Sequence, residues 1–171
     1  MKNIFFVALL VNSLLSAMNH ISQKHVDPDN VKLEWHTNGN PHRDQYLEKT
    51  LYAKLKTITG FFSQQEDTQL LGYIKTTEST SGCEQYRNEL ICDKIHSFRV
   101  SDDICNKDNI RFLLFKEMAT MCLNKTGKIA GNLPTEEMDS INFLKKMNAK
   151  VKCDSGYCTF TYEAPQKEIK F

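Results

Sequence analysis

The sequence predicts a helix-rich α+β fold in which about five helices pack with a small antiparallel sheet that includes a disulfide-stapled C-terminal β-hairpin. A mainly α fold with an isolated hairpin is the alternative. Three observations support this prediction. Several segments place apolar residues three or four positions apart behind helix-capping residues, the stretch "KVKCDSGYCTFTYEAP" alternates in polarity, and all six cysteines lie between residues 83 and 158.

The first seventeen residues, "MKNIFFVALLVNSLLSA", are typical of a signal peptide. Lys2 precedes an apolar run, and the small residues Ser16 and Ala17 follow it. The run is shorter than the roughly 20 apolar residues needed to cross a bilayer, and no later segment approaches that length. We therefore expect residues 1–17 to be removed and the mature protein to be secreted, extracellular and without a membrane span.

The rest of the chain divides into three parts. Residues 18–40 form a polar N-terminal arm whose "VKLEW" (31–35) alternates as a short strand does, and this strand can add to the C-terminal hairpin. Residues 41–165 are expected to form a single disulfide-stabilised domain, and residues 166–171 a C-terminal tail. We detect no repeats and no linker.

The first predicted helix follows Asn40, a favourable N-cap, and Pro41, which suits the first helical position. Gly60 would end it. Its apolar residues recur every three or four positions: Leu47, Leu51, Leu55 and Ile58.

Two further helices are predicted behind capping-box spacings. Ser63 and Glu66 precede "TQLLGYI", and Ser81 and Glu84 precede "QYRNELICDKIHSF".

The segment from Ile110 to Leu123 suits either a buried strand or a helix, and its length, Asp108 as a cap and Gly127 as a stop favour the helix. A last helix begins at Thr135. Its apolar stripe is Met138, Ile141, Leu144 and Met147.

The hairpin prediction rests on one register. If Cys153 faces Cys158 across "DSGY", one face carries the apolar Val151 and Phe160 while lysines and threonines occupy the other. Gly156 can adopt the positive φ that the turn needs. We therefore predict a Cys153–Cys158 disulfide. The other four cysteines would form two more bridges of unknown connectivity: Cys83, Cys92, Cys105 and Cys122.

Several function classes lack support in the sequence. Without Lys2 the chain has equal numbers of basic and acidic side chains, which disfavours a nucleic-acid partner. A secreted hydrolase would need groups that converge only in three dimensions, since no "GxSxG" occurs and His96 is the one histidine near the cysteines. The acid pairs Glu136/Glu137 and Asp102/Asp103 are explained by helix starts and turns.

Four histidines, at 20, 25, 36 and 42, lie in the N-terminal part with Asp27 and Asp29, but their irregular spacing favours an exposed polar arm over a metal site. One metal hypothesis is specific. Cleavage after Ala17 would leave Met18-Asn19-His20, whose amine, amide and imidazole nitrogens can bind Cu(II) or Ni(II) in a square plane. No other cofactor is expected.

Three further groups of residues are open to a binding interpretation. Asn124 begins the sequon "NKT" and is a predicted glycosylation site. Methionines 118, 121, 138 and 147 could line a ligand cavity, although core filling is the simpler explanation. A surface for a partner protein could be formed by Tyr46, Tyr52, Phe61 and Phe62, although core filling is again the simpler explanation.

The sequence therefore favours a small secreted, disulfide-stapled binding or interaction protein without catalytic activity, whose partner is an extracellular protein or a small ligand. A hydrolase-like enzyme and a carrier of a small apolar ligand are the alternatives. A concave pocket with convergent polar groups would separate these hypotheses.

Overall fold

A computed structural model describes residues 23–41, 43–59, 65–79, 84–86, 89–91, 93–126 and 128–163. Its strands are β1 (Val31–Asn38), β2 (Tyr46–Thr59), β3 (Gln65–Ser79), β4 (Glu84–Tyr86), β5 (Glu89–Ile91), β6 (Asp93–Val100), β7 (Lys128–Pro134), β8 (Lys150–Asp154) and β9 (Tyr157–Glu163). The helices are α1 (Lys107–Thr126) and α2 (Met138–Lys146), and single 3₁₀ turns span Pro28–Asn30 and Thr135–Glu137.

The predicted helix-rich fold with about five helices is wrong. The described residues are 28% helical and 54% strand, and seven strands form one mixed sheet in the order β1-β2-β3-β6-β7-β9-β8. Neighbouring strands are antiparallel except β6 and β7, which run parallel and are connected through α1. β4 and β5 form a separate two-stranded ribbon.

The segment predicted as the first helix is strand β2. Leu47, Leu51 and Leu55 are four residues apart, and an even spacing places side chains on one face of a strand as readily as on one face of a helix. The expected N-cap Asn40 instead makes the turn between β1 and β2, where its carbonyl accepts hydrogen bonds from the amides of Arg43 (3.0 Å) and Asp44 (2.8 Å).

The next two predicted helices are also strands. "TQLLGYI" lies in β3, and "QYRNELICDKIHSF" is divided among β4, β5 and β6. The capping-box residues Ser63 and Ser81 lie outside the described residues. β3 contains three threonines and Tyr73, which are residue types that favour strands, and its packing against neighbouring strands outweighs the helical spacing of its leucines.

The other elements agree with the sequence. The ambiguous segment 110–123 is helical within α1, the stripe beginning at Met138 lies on α2, and "VKLEW" is strand β1. β1 pairs with β2 at the edge of the sheet opposite β8, so the expectation that it joins the hairpin is wrong.

The hairpin forms in the predicted register, with Cys153 opposite Cys158, Val151 opposite Phe160 and a disulfide between the cysteines. Gly156 has the positive φ of 87° that the turn requires. Cys158 and Phe160 are buried, whereas Cys153 is exposed because β8 is the edge strand.

The hydrophobic core lies between one face of the sheet and the two helices. Phe143 of α2 packs edge-to-face on Phe98 of β6 and on Phe115 of α1, with ring centroids 5.9 and 6.1 Å apart. Burying such side chains contributes roughly 1.5–3 kcal/mol each. Other fully buried members are Leu51, Leu71, Ile74, Ile95, Ile110, Leu114, Met118 and Ile129.

The parallel seam between β6 and β7 is short. Only Lys94–Ala130 and Ile95–Gly131 are paired, after which the two strands separate. Gly131 permits the close approach, because a Cβ there would lie 2.1 Å from the carbonyl oxygen of Ile95.

Beyond the seam, side chains replace the missing strand partner of β6. The amide of Phe98 donates to Glu137 Oε2 (2.7 Å), and its carbonyl accepts from Ser140 Oγ (2.5 Å). The start of α2 therefore satisfies backbone groups that an adjacent strand would otherwise pair.

Neither described helix is long and apolar enough to cross a membrane.

Candidate functional site

The face of the sheet opposite the core carries aromatic, basic and hydroxyl side chains. Because side chains alternate along strands, the residues between core positions of β1, β2, β3 and β6 share this face. Two cross-strand rows define its centre: Glu34–Tyr52–Tyr73–Arg99 and His36–Thr50–Lys75–Ser97. We call these eight residues, with Lys54, Thr77 and His96, the polar face.

An aromatic series crosses the polar face. The rings of His36 and Tyr52 are 5.1 Å apart edge-to-face, and those of Tyr52 and Tyr73 are 6.4 Å apart. The ammonium groups of Lys54 and Lys75 lie 5.7 Å from the ring centroids of Tyr52 and Tyr73, respectively. This arrangement offers both ring surface and positive charge to a ligand.

The acid at the β1 end of the face is neutralised within the protein. Glu34 contacts Lys54 at 2.6 Å and Lys32 at 2.9 Å. These hydrogen bonds lower the pKa of Glu34 from 4.5 to about 2, against a small opposing effect of burial. Glu34 is therefore ionised at neutral pH and paired with lysines.

The opposite end is organised by Glu137, whose side chain is 3% exposed. Its carboxylate accepts from Ser97 Oγ (2.7 Å) and Arg99 Nε (2.8 Å) as well as from the amide of Phe98. The hydrogen bond from Arg99 to Glu137, and then the charge of that carboxylate, raise the pKa of Arg99. Glu137 thus fixes two side chains of the polar face.

Lys75 differs from these paired groups. It is half-buried in the middle of the face, between Thr50 and Ser97 in the cross-strand row, and Thr50 is only 4% exposed. Within the described part of the chain, no carboxylate forms an ion pair with the Lys75 ammonium, whose recorded contact is the Tyr73 ring. The centre of the polar face therefore carries a positive charge that has no ion-pair partner among the described residues.

His96 lies at a β-bulge in β6, where its Nδ1 is 3.2 Å from the Thr77 hydroxyl. Burial lowers its pKa below 6.5; Glu48 and Glu137 oppose that effect, and Lys75 adds to it. The hydrolase hypothesis required an acid as well. Across the described residues no carboxylate hydrogen-bonds the other ring nitrogen, so the histidine and the hydroxyl meet without completing a triad.

The other predicted site residues are dispersed. His36 joins the polar face and His25 lies next to Cys105, whereas His20 and His42 are outside the described residues. The described side chains include no group of three or more metal-ligating residues. The copper or nickel hypothesis at His20 stays a prediction.

Cysteine placement differs in part from the expectation. Cys105 carries an exposed free thiol instead of the predicted bridge, and Cys122 is buried in α1 with its sulfur 3.8 Å from that of Met118. Cys83 and Cys92 lie outside the described residues. Asn124 falls in the last turn of α1, and its glycosylation stays a prediction.

The predicted methionine and aromatic groups do not form single clusters in the described structure. Met118, Met121 and Met147 pack in or against the core, whereas Met138 is 43% exposed. Three of these four methionines therefore fill the core, which was the simpler explanation of their spacing. Tyr52 belongs to the polar face, Tyr46 is 45% exposed, and Phe61 and Phe62 lie outside the described residues.

Sequence reasoning missed most of the polar face, including Thr50, Tyr73, Lys75 and Arg99. The available signal was the period-two alternation of polar and aromatic residues along "YLEKTLYAKL" and "GYIKTTE". Assigning those segments to helices concealed it.

No protein-family model matches this chain, and no curated protein matches it either.

Proposed function

We propose that this protein is a secreted, non-catalytic binding protein that holds a small anionic aromatic ligand on the polar face of its sheet. The observation that carries the proposal is Lys75, a half-buried cation at the centre of that face with no carboxylate partner in the described part of the chain. A ligand anion would supply the missing charge, and its ring would pack beside Tyr52 and Tyr73.

Two further observations support the proposal. Glu34 at one end of the polar face is paired with lysines and Glu137 at the other end with Arg99, so these two acids add little attraction for a cationic ligand. The disulfide between Cys153 and Cys158 is typical of oxidising compartments and supports secretion.

The test compares two fluorescent probes of similar shape: anionic 1-anilinonaphthalene-8-sulfonate and uncharged N-phenyl-1-naphthylamine. The unmodified protein should bind the anionic probe more tightly. Lys75→Met should weaken anion binding by about tenfold, the effect of a partly desolvated charge pair of roughly 1.4 kcal/mol, and leave the uncharged probe unchanged.

Lys152→Met is the matched control, because Lys152 is an exposed lysine on edge strand β8. It should bind both probes as the unmodified protein does. Equal anion affinity in Lys75→Met and the unmodified protein, or tighter binding of the uncharged probe, would refute the proposed site.

A further inference from the structure

Strand β1 is an open edge of the seven-stranded sheet. Within the described part of the chain it pairs only with β2, so the backbone groups on its other side meet no strand. Its apolar side chains are also incompletely covered. α1 packs over β2, β3, β6 and β7, and Val31, Leu33 and Trp35 of β1 are only partly buried against the core. An edge of this kind is a template for pairing with a further strand.

The opposite edge of the sheet, β8, is protected against pairing with a second copy of itself. It has five residues, and Lys150 and Lys152 are both exposed on it. Antiparallel self-pairing about Lys152 places that lysine against its own copy, and self-pairing about Val151 places Lys150 against Lys152. Like charges directly opposite each other destabilise a strand pair.

The sequence of β1, in contrast, is complementary to itself in one antiparallel register. When a two-fold axis passes through Leu33, that residue faces its own copy and Val31 faces Trp35 of the second copy. In the same register Lys32 faces Glu34 of the second copy. Because side chains alternate along a strand, the apolar pairs lie on the helix side and the charged pairs on the polar face.

Neighbouring registers lose this match. An axis through Lys32 or through Glu34 places a charge against its own copy, and an axis through Trp35 places Leu33 against the polar Thr37. A shift by one residue brings apolar side chains opposite charged ones, since the side-chain period of a strand is two. The register about Leu33 is therefore the one that sequence and sheet favour together.

We propose that two copies of this protein form a two-fold dimer in which their β1 strands pair antiparallel about Leu33 and join the two sheets into one. The apolar edge side chains and the backbone hydrogen bonds supply the attraction. The charges select the register. Lys32 and Glu34 contact each other within one copy at 2.9 Å, so pairing brings two ion pairs together as four charges of alternating sign. This proposal is independent of a ligand on the polar face.

The first test measures the mass of the full chain in solution by analytical ultracentrifugation. The dimer fraction should rise with protein concentration and fall on dilution. Trp35, the single tryptophan of the chain, should report the same transition, because pairing covers its half-buried ring and shifts its fluorescence to shorter wavelength. All measurements use the Cys105→Ser background, since an exposed free thiol can link two chains by itself.

A charge reversal tests the register. Lys32 is exposed, so Lys32→Glu should fold normally, as circular dichroism would show, yet it places acids opposite each other at both symmetric contacts. The dissociation constant of the dimer should rise about tenfold. Lys152→Glu is the matched control, because it reverses an exposed lysine on the other edge strand, and it should leave the dissociation constant unchanged.

A cysteine introduced on the axis gives a second readout. Leu33→Cys should form a disulfide between two copies on mild oxidation, because opposed cysteines on paired strands can be bridged, as Cys153 and Cys158 are. Thr37→Cys should not, because in this register its two copies lie roughly 26 Å apart along the strands. Peptide mapping identifies the linked residues.

Three results would overturn the proposal: a monomer at every concentration, a dimer that Lys32→Glu does not weaken, or cross-linking through Thr37→Cys in preference to Leu33→Cys. If another segment of the same chain covers β1, the protein should sediment as a monomer while the outward amides of β1 exchange slowly with deuterium. That outcome too would exclude the dimer.

Discussion

Glu137 is a buried carboxylate that accepts three hydrogen bonds, from a hydroxyl, a backbone amide and a guanidinium. These bonds offset the cost of removing its charge from water. Because Ser97 and Arg99 belong to the polar face and Phe98 to the core, one side chain connects the candidate binding surface with the hydrophobic interior.

Glu137→Ala should therefore destabilise the protein by about 3 kcal/mol, since it leaves buried donors without an acceptor. Chemical denaturation followed by fluorescence measures the effect. Glu136→Ala is the control, because Glu136 is exposed, and its transition should shift by no more than about 0.5 kcal/mol. Equal shifts in the two variants would contradict the assigned role of Glu137.

The sequence does not distinguish these adjacent glutamates. Both precede a helix, where acidic residues are common, and this local explanation fits Glu136 and Glu137 equally. What separates them is the position of β6, about forty residues earlier in the chain. Long-range contacts of this kind have no local sequence signature.

Among the elements, the C-terminal hairpin was predictable down to its register. Its evidence is local: a turn glycine, two cysteines and alternation that sorts apolar from polar side chains over several pairs. β2 and β3 are the opposite case. The spacing of their leucines fits a helix and a strand equally. Packing against α1 and against strands distant in the sequence decides between the two, and that packing is not visible in the sequence.

The hairpin disulfide should contribute little to global stability. The double variant Cys153→Ser, Cys158→Ser should remain folded, with a loss of at most roughly 2 kcal/mol, because the bridge closes a loop of only a few residues. Thermal melting monitored by circular dichroism checks this.

Reduction of the unmodified protein is a control that needs no substitution. It should lower the melting temperature by a similar amount if the other cysteines are not affected. Loss of the cooperative melt in the double variant would show that the bridge holds more than the hairpin register.

At the scale of the whole molecule, the polar face could not have been assembled from the sequence. Its residues come from four strands whose order in the sheet depends on correct pairing of β1, β2, β3 and β6. The compartment prediction, by contrast, rests on contiguous residues at the N-terminus and is independent of the fold.

That prediction has a direct test in a eukaryotic secretory host. The protein should appear in the medium without residues 1–17 and should lose mass on treatment with a glycosidase that removes N-linked glycans. Asn124→Gln should appear at the lower mass without treatment. Retention of the intact N-terminus inside the cell would contradict secretion, and an unchanged mass after the glycosidase would contradict glycosylation at Asn124.

The short seam between β6 and β7 bears on the cooperativity of folding. Two antiparallel units, β1-β2-β3-β6 and β7-β9-β8, share only two paired positions, so main-chain hydrogen bonding alone joins them weakly. Core packing beneath α1 and the side chains of Glu137 and Ser140 supply the remaining coupling. Whether the chain unfolds in one step or in two is therefore set largely by side chains at the seam and not by the extent of the sheet.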